Sequence, residues 1–491
     1  MSGPGSIGAG ARGLVRASVL VALVAAAAVP AHTAGAPRPQ PDPRPNVVVI
    51  STDDQTVESL RVMSNVQRLL VQEGTTFANS FATFPLCCPS RATFLTGQYS
   101  HNHGVVGNNQ RNGLRNLNER NTLPVWLTHA GYSTIFVGKY FNGYGKLRKT
   151  TVSPGWDEWH AGVTLAYFDH RMNHNGKIVR YRRAYQTDVY ARTAVAAINR
   201  QAPRARPFFL WLSFFAPHHG GPREAHDPAR LHTPVAAPRH RGAFAFEPLP
   251  PSPARNEADV ADKPFSISLR PRLSARAIAD MQAAYAQRLE SLLAVDEAVA
   301  AVVEALRAQG VLNRTLIVFT SDNGYLHGEH RIKEGKEHLY EPSVRVPLVV
   351  RGPGVPQGET RDELVANIDL APTVLDIARA RSGRVLDGRS LLPLLAYTTF
   401  EFRRDLLFER GPGPSGVGDR LVTAIRTPRY VYFEHVTGER ELYDLTVDPH
   451  QLESLHDHPT HAQTVAKLAA RLAVLRDCAG ATCRGPALLR R

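Results

Sequence analysis

The chain has 491 residues, 43% apolar and 21% charged, the balance of a soluble globular protein and too long for one ordinary core, so a large domain and a smaller one are expected. Its four cysteines fall in two pairs, and no spacing among them suggests a zinc site. The formal charge of +14 favours anionic partners, but no nucleic-acid-binding motif accompanies it, so no nucleic acid is expected as a partner.

Arg12 and Arg16 precede an apolar run from Ala17 to Val29 and then Pro30-Ala31-His32-Thr33-Ala34. That is the layout of a secretory signal peptide, and the run is too short to span a bilayer. Residues 1–35 are therefore read as a leader cleaved between Ala31 and Ala36, giving an exported product with no stable membrane insertion. Residues 36–45, in which every second residue is proline, form a stiff lead-in.

The fold begins at Val47–Ile50, a continuous β-branched run of the kind buried on both faces of a sheet, and it ends at Ser51-Thr52-Asp53-Asp54. Three later runs repeat that grammar. Residues 133–137 lead into Gly138-Lys139, 208–215 into Pro217-His218, and 316–320 into Asp322-Asn323-Gly324. Each buried strand thus delivers polar residues at its carboxyl end, where the crevice of an open parallel α/β sheet lies. An amphipathic helix is expected over 281–308. Residues 220–272, rich in Pro, Arg, His and Ala with little periodicity, read as a long loop over the mouth of the site. The character changes near Asp387-Gly388-Arg389-Ser390. Beyond it, residues 430–433 and 441–445 predict a short antiparallel meander, followed by a helix over 460–476. Cys478 and Cys483 close the chain, either as a small disulfide loop or as two free thiols. The division that follows is a catalytic domain over 46–395 and a small C-terminal α+β subdomain over 396–485.

The most informative segment is 85–97, Pro-Leu-Cys-Cys-Pro-Ser-Arg-Ala-Thr-Phe-Leu-Thr-Gly. Its core, Cys87-x-Pro89-Ser90-Arg91 with Gly97 downstream, resembles the signature of the formylglycine-dependent sulfatases. In that family the first cysteine is oxidised to formylglycine (3-oxoalanine) by a formylglycine-generating enzyme, which the resemblance makes a maturation partner. The hydrated aldehyde is a geminal diol. One hydroxyl attacks sulfur and expels the alcohol, leaving a sulfated hemiacetal; the second then loses its proton, sulfate is eliminated and the aldehyde returns. Arg91, one helical turn beyond residue 87, is spaced to hold the diol or ester oxygens.

Asp53, Asp54, Asp322 and Asn323 offer oxygen ligands only, a set for a hard cation, Ca²⁺ or alternatively Mg²⁺, with the oxygen of modified Cys87 completing it. The resemblance covers almost the whole mature chain. Gly131-Tyr132-Ser133-Thr134 through Gly138-Lys139 looks like the second family signature, which makes Lys139 a contact to formylglycine and sulfate. Pro217-His218 looks like the family histidine that binds sulfate or protonates the leaving group, and Lys336 matches the lysine at the leaving oxygen. One departure stands out: where most sulfatases carry a histidine two residues after the second-signature lysine, this chain has Phe141, then Asn142. His101, His103, His327 and His330 are candidate substitutes, and His219 is a further open position.

The finer resemblance is to the N-acetylglucosamine-6-sulfatase branch, through the double cysteine, His101-Asn102-His103, the Gly-Lys-Tyr signature without histidine, Gly155-Trp156-Asp157-Glu158-Trp159 and the C-terminal cysteine loop. The family implies an alkaline-phosphatase-like α/β fold with a large mixed sheet and, as substrate, a sulfate monoester, here a 6-sulfated amino sugar or related sulfated glycan. Two alternatives use the same residues. A phosphonate or phosphodiester hydrolase needs similar ligands for its tetrahedral group, and a chain left with cysteine at position 87 would bind sulfated glycans without turning them over.

Overall fold

The strands, in chain order, are β1 (Asn46–Thr52), β2 (Thr75–Phe77), β3 (Ser80–Phe81), β4 (Ser133–Gly138), β5 (Glu158–Gly162), β6 (His170–His174), β7 (Lys177–Tyr181), β8 (Phe208–Ser213), β9 (Thr315–Ser321), β10 (Leu348–Arg351), β11 (Glu359–Arg361), β12 (Val365–Ala366), β13 (Leu406–Arg410), β14 (Val422–Arg426), β15 (Tyr430–His435) and β16 (Arg440–Asp444). This computed structural model describes residues 42–397, 402–403, 405–411 and 422–484, with isolated positions 1, 3 and 13. The signal-peptide assignment and most of the proline-rich lead-in lie outside the described residues.

Ten strands form one sheet in the order β11-β2-β10-β9-β1-β8-β4-β5-β6-β7. Its centre, β9-β1-β8-β4-β5, is wholly parallel, and antiparallel pairs join β10 to β9 and to β2, and β6 to β5 and to β7. The register sets Val48 beside Leu210 on one side and Ile317 on the other. Both faces are dry, which is why these strands read as unbroken apolar runs. Val48, Ile50, Leu210, Leu212, Ile317 and Phe319 face one core, shared with the helices Gln186–Gln201 and Ala275–Ala308. Val47, Val49, Phe209, Trp211, Leu316 and Val318 face the other, shared with the helices Cys87–Thr96, Leu123–His129 and Leu370–Ala378.

The long helix starts at Ala275, six residues before the apolar periodicity announces it. Ser274 caps it, its Oγ accepting from Ala277 N at 3.2 Å, and the first turns are solvated and so leave no apolar pattern. Residues 220–272 hold only the short helical turns Pro238–His240 and Phe265–Ser268. They are anchored by Asn256 N donating to Gly328 O at 2.8 Å and by Arg255 bridging to Glu329. The C-terminal part is a four-stranded antiparallel sheet, β13-β14-β15-β16, covered by the helix Ala462–Arg476 through Leu472 and Leu475. Cys478 and Cys483 are joined as a disulfide directly after that helix.

Candidate functional site

Four neighbouring parallel strands, β9, β1, β8 and β4, end at one edge of the sheet and carry Asp322-Asn323, Asp53-Asp54, the turn to His218, and Lys139. Gly138 explains how Lys139 gets there. Its φ is +121°, and a Cβ would lie 1.8 Å from Ser213 O, so only glycine lets β4 close against β8 before the lysine turns into the site. Asp54 holds a left-handed φ of 69°, unusual for a residue with a side chain and a mark of strain at functional turns.

Cys87 opens the ten-residue helix Cys87–Thr96, all of it buried and closed by Gly97 in the left-handed conformation. Pro89 fits in the first turn, where its missing N–H costs no helical bond. Cys87 Sγ lies 3.5 Å from Asp53 Oδ1, and it accepts from Lys139 Nζ at 3.4 Å and Lys336 Nζ at 3.0 Å. One turn on, Arg91 reaches back under the site. Its Nε donates to Asp322 Oδ2 and its Nη2 to Asp53 Oδ2, each at 2.9 Å, while Nη1 donates to Ser213 Oγ and Lys139 O. Lys139 pairs with Asp53, and Lys336 with Asp54.

Three cations thus face three carboxylates in a site that is almost fully buried. Burial alone would raise Asp53, but Lys139, Arg91 and Lys336 outweigh it and hold its carboxyl well below the usual range. Asp54 is likewise brought down to about 2, against burial, chiefly by Lys336. Asp322 goes the other way, up to about 6, because burial and the neighbouring charge of Asp53 exceed what Arg91 returns. Burial, then Asp53, pushes the Cys87 thiol up to about 11, so as a cysteine it is not a thiolate at neutral pH.

His218 approaches Asp54, with Nε2 3.8 Å from Oδ2, and its ring stacks on Phe215 with centroids 5.1 Å apart. Nδ1 lies 2.7 Å from His219 O. A carbonyl can only accept, so Nδ1 carries the proton and, in the neutral ring, Nε2 carries the lone pair. Burial and the charge of Lys139 keep that ring neutral.

The oxygens suit a cation. Asp54 Oδ2 and Asn323 Oδ1 are buried without a hydrogen-bond partner, while Asn323 Nδ2 donates to Asp54 Oδ1 at 2.7 Å and so holds the two side chains side by side. Ligand atoms of Asp53, Asp54, Cys87 and His218 lie within 4.8 Å of one another. Two unpaired buried acceptors beside ionised carboxylates are what a hard cation satisfies. The structure therefore brings together every residue singled out for the site: Cys87, Arg91, Lys139, His218, Lys336, Asp53, Asp54, Asp322 and Asn323.

The histidines offered in place of the one missing at Phe141 sit elsewhere. Phe141 is core, packed edge-on to Tyr140. Asn142 donates its backbone N–H to Cys88 Sγ at 3.3 Å and leaves its buried Oδ1 without a hydrogen bond. His103 is held by Thr93 Oγ1 and Val105 N. His327 and His330 line a cavity of about 340 Å³ beside Thr56 and Arg255, and His330 Nδ1 is bound to Glu257 at 2.6 Å. His101 joins the C-terminal disulfide loop to the signature region, with Nδ1 2.8 Å from Glu409 Oε1 and Nε2 2.9 Å from Cys478 O.

That anchor predicts a pH effect. Burial opposes the charge on His101, but its hydrogen bond to Glu409, the charge of that carboxylate and the bond to Cys478 O together outweigh it and raise the pKa from 6.5 to about 9. The folded chain holds this proton more tightly than the unfolded one. Its stabilisation is therefore complete below about pH 6.5 and lost as the pH rises through about 9. Urea unfolding of His101→Gln is expected to show a loss of about 1 to 3 kcal/mol in acid that shrinks toward zero above that window. A loss independent of pH would remove the ionic account.

Arg288 was not legible in the sequence. From the middle of the long helix it donates to Asp54 O, and its guanidinium lies 3.8 Å from the ring centroid of Tyr325, two residues past Asn323. It ties the two cation-facing turns together without bearing any local motif.

Comparison with known proteins agrees with this geometry. The sulfatase family model matches residues 45–380, and a model of the C-terminal region of N-sulphoglucosamine sulphohydrolase matches residues 328–478. The chain is 33% identical to the N-acetylglucosamine-6-sulfatase of Capra hircus, over 90% of this chain and 85% of that one. Among solved structures, a complex with its substrate D-glucosamine-2-N,6-O-disulfate superposes with a TM-score of 0.71 at 25% identity, covering 88% of this chain and 97% of that one. The phosphonate monoester hydrolase of Agrobacterium radiobacter shares the fold, with a TM-score of 0.65 at 23% identity over 88% of this chain and 95% of that one. A large mixed sheet between helical layers with a small C-terminal sheet is the alkaline-phosphatase-like arrangement of these proteins. With its signature cysteine seated among three carboxylates and three cations at the carboxyl edge of that sheet, this chain belongs to the sulfatase family of sulfuric ester hydrolases.

Proposed function

We propose that the protein is an exported sulfatase that hydrolyses 6-sulfated amino sugars or related sulfated glycans, using formylglycine made from Cys87 by a formylglycine-generating enzyme and a divalent cation, Ca²⁺ in the first place. The observation that carries this reading is the position of Cys87 Sγ, in contact with Asp53, Lys139 and Lys336 beside the unpartnered oxygens of Asp54 and Asn323. That sulfur stands in for the oxygens of the modified side chain. Formylglycine supplies a nucleophilic hydroxyl and, on the same carbon, the means to release sulfate. A cation held by Asp53, Asp54, Asp322 and Asn323 supplies Lewis-acid charge at the sulfuryl oxygens.

The chain's own residues do the rest. Lys139 and Lys336 are fixed charges against residue 87 and suit the ester oxygens, with Lys336, the more exposed at 12%, facing the leaving group. Arg91, with its guanidinium bound to Asp53 and Asp322, orients the two carboxylates rather than the substrate. His218 Nε2, with its lone pair directed to the Asp54 side, takes the proton that the missing histidine at position 141 would otherwise handle. Export rests on the leader; among the described residues no helix is long and apolar enough to cross a membrane.

The test is the mass of the tryptic peptide 69–91 from protein secreted by its native host, with parallel assays on glucosamine 6-sulfate and an aryl phosphonate. Formylglycine at position 87 with sulfate release is the expected result. Unmodified Cys87 in a host that matures other sulfatases would overturn the mechanism, and dominant phosphonate turnover would move the protein to the phosphonate hydrolases that share its fold.

A further inference from the structure

Immediately past His218 the chain opens a second cavity. The ring of His219 lies against that of His218, tilted by 33° with centroids 4.1 Å apart, and His232 lies 5.2 Å from His219, so three imidazoles run outward from the cation-facing carboxylates. His219 and His232 are walls of a cavity of about 270 Å³ that Arg223, Asp227 and Leu231 also line. That is just below the range of about 300 to 1,000 Å³ usual for small-ligand pockets, and so suits one ring rather than an oligomer.

The polar groups of this cavity are not equally available. Asp227 spends its carboxylate on Glu224 N at 2.7 Å and Gln287 Nε2 at 2.9 Å, and Arg223 donates to Pro228 O at 2.7 Å. Among the described residues, no hydrogen bond engages either ring nitrogen of His219 or of His232. Burial lowers the His219 pKa to about 4, so its ring is neutral and presents one donor and one acceptor. A neutral imidazole pairs with hydroxyl groups, which also donate and accept, and does little for a second anion.

We infer that this cavity is the subsite for the leaving group of the reaction, taking the hydroxyl-bearing ring of a sulfated sugar through His219 and His232 and thereby favouring sugar esters over aryl esters. The inference rests on the sulfatase reading of Cys87. It makes the two histidines specificity residues, placed outside the cluster that holds the sulfate.

The test uses secreted, formylglycine-bearing protein and the variants His219→Phe, His232→Phe and the double variant, which keep a ring and remove the nitrogens. kcat and KM are measured on glucosamine 6-sulfate and on 4-nitrophenyl sulfate. The ratio of kcat/KM for sugar over aryl ester is expected to fall about 3- to 10-fold for each single variant, the effect of one or two neutral hydrogen bonds, and further for the double, mainly through KM. An unchanged ratio, whether both substrates fall together or neither falls, would overturn the subsite while leaving the sulfatase reading intact. Wild-type protein with formylglycine in place that turns over neither ester would overturn the sulfatase reading itself, and the subsite with it.

Discussion

Replacing Cys87 with alanine is expected to lower sulfate-ester turnover by at least about 10⁴-fold while the chain still folds. The nucleophile is lost outright, because no other side chain in the site can present two hydroxyls on one carbon. The structural cost is small by comparison. The side chain is short, Lys139 and Lys336 keep their pairings with Asp53 and Asp54, and a vacated sulfur-sized space costs about 1 kcal/mol. Thermal unfolding and turnover measured on the same preparation separate the two effects. Substantial activity in the variant would sink covalent catalysis at this position.

Arg91→Gln is expected to damage stability as well as turnover. Arg91 is 1% exposed and pairs with both Asp53 and Asp322, so its removal leaves Asp53 to Lys139 and strands the buried Asp322. Breaking a buried ion pair from one side costs about 3 to 5 kcal/mol, because the uncompensated charge remains. The loss should be smaller when unfolding is measured in millimolar Ca²⁺ than in chelator, since a bound cation takes over part of the compensation. Denaturant unfolding under both conditions reads this directly. A loss below about 1 kcal/mol in chelator would mean that Lys139 and Lys336 already balance the site.

Most of the site can be read along the chain because its residues sit in local patterns. Asp53-Asp54 and Asp322-Asn323 follow continuous apolar runs, Lys139 follows a glycine that a close strand crossing requires, and Cys87 and Arg91 share one helix turn. What cannot be read depends on approach in space. Arg288 gains its place because a long helix passes under two strand ends, one of them 234 residues away, and an arginine within an amphipathic pattern looks like any solvated charge. His101 stands just past the signature and so invites a chemical role, yet its partners, Glu409 and Cys478 O, come from the far end of the sequence. Residues 220–272 announce irregularity but not the cavity that His219 and His232 border, since no periodicity records where a loop turns back.

The complete burial of Cys87 also constrains timing. A side chain with no surface in the folded protein cannot enter the active site of another enzyme. The side chains around it are recruited from positions up to 269 residues apart, so the pocket closes only once strand β9 has joined the sheet. On the proposed formylglycine reading, conversion of the thiol belongs to the interval in which the signature has been synthesised and the downstream half has not yet folded onto it. On that reading, a molecule that completes its sheet with cysteine still in place is shut out of activation until it unfolds again, and the active fraction of a preparation is expected to record a race between modification and folding.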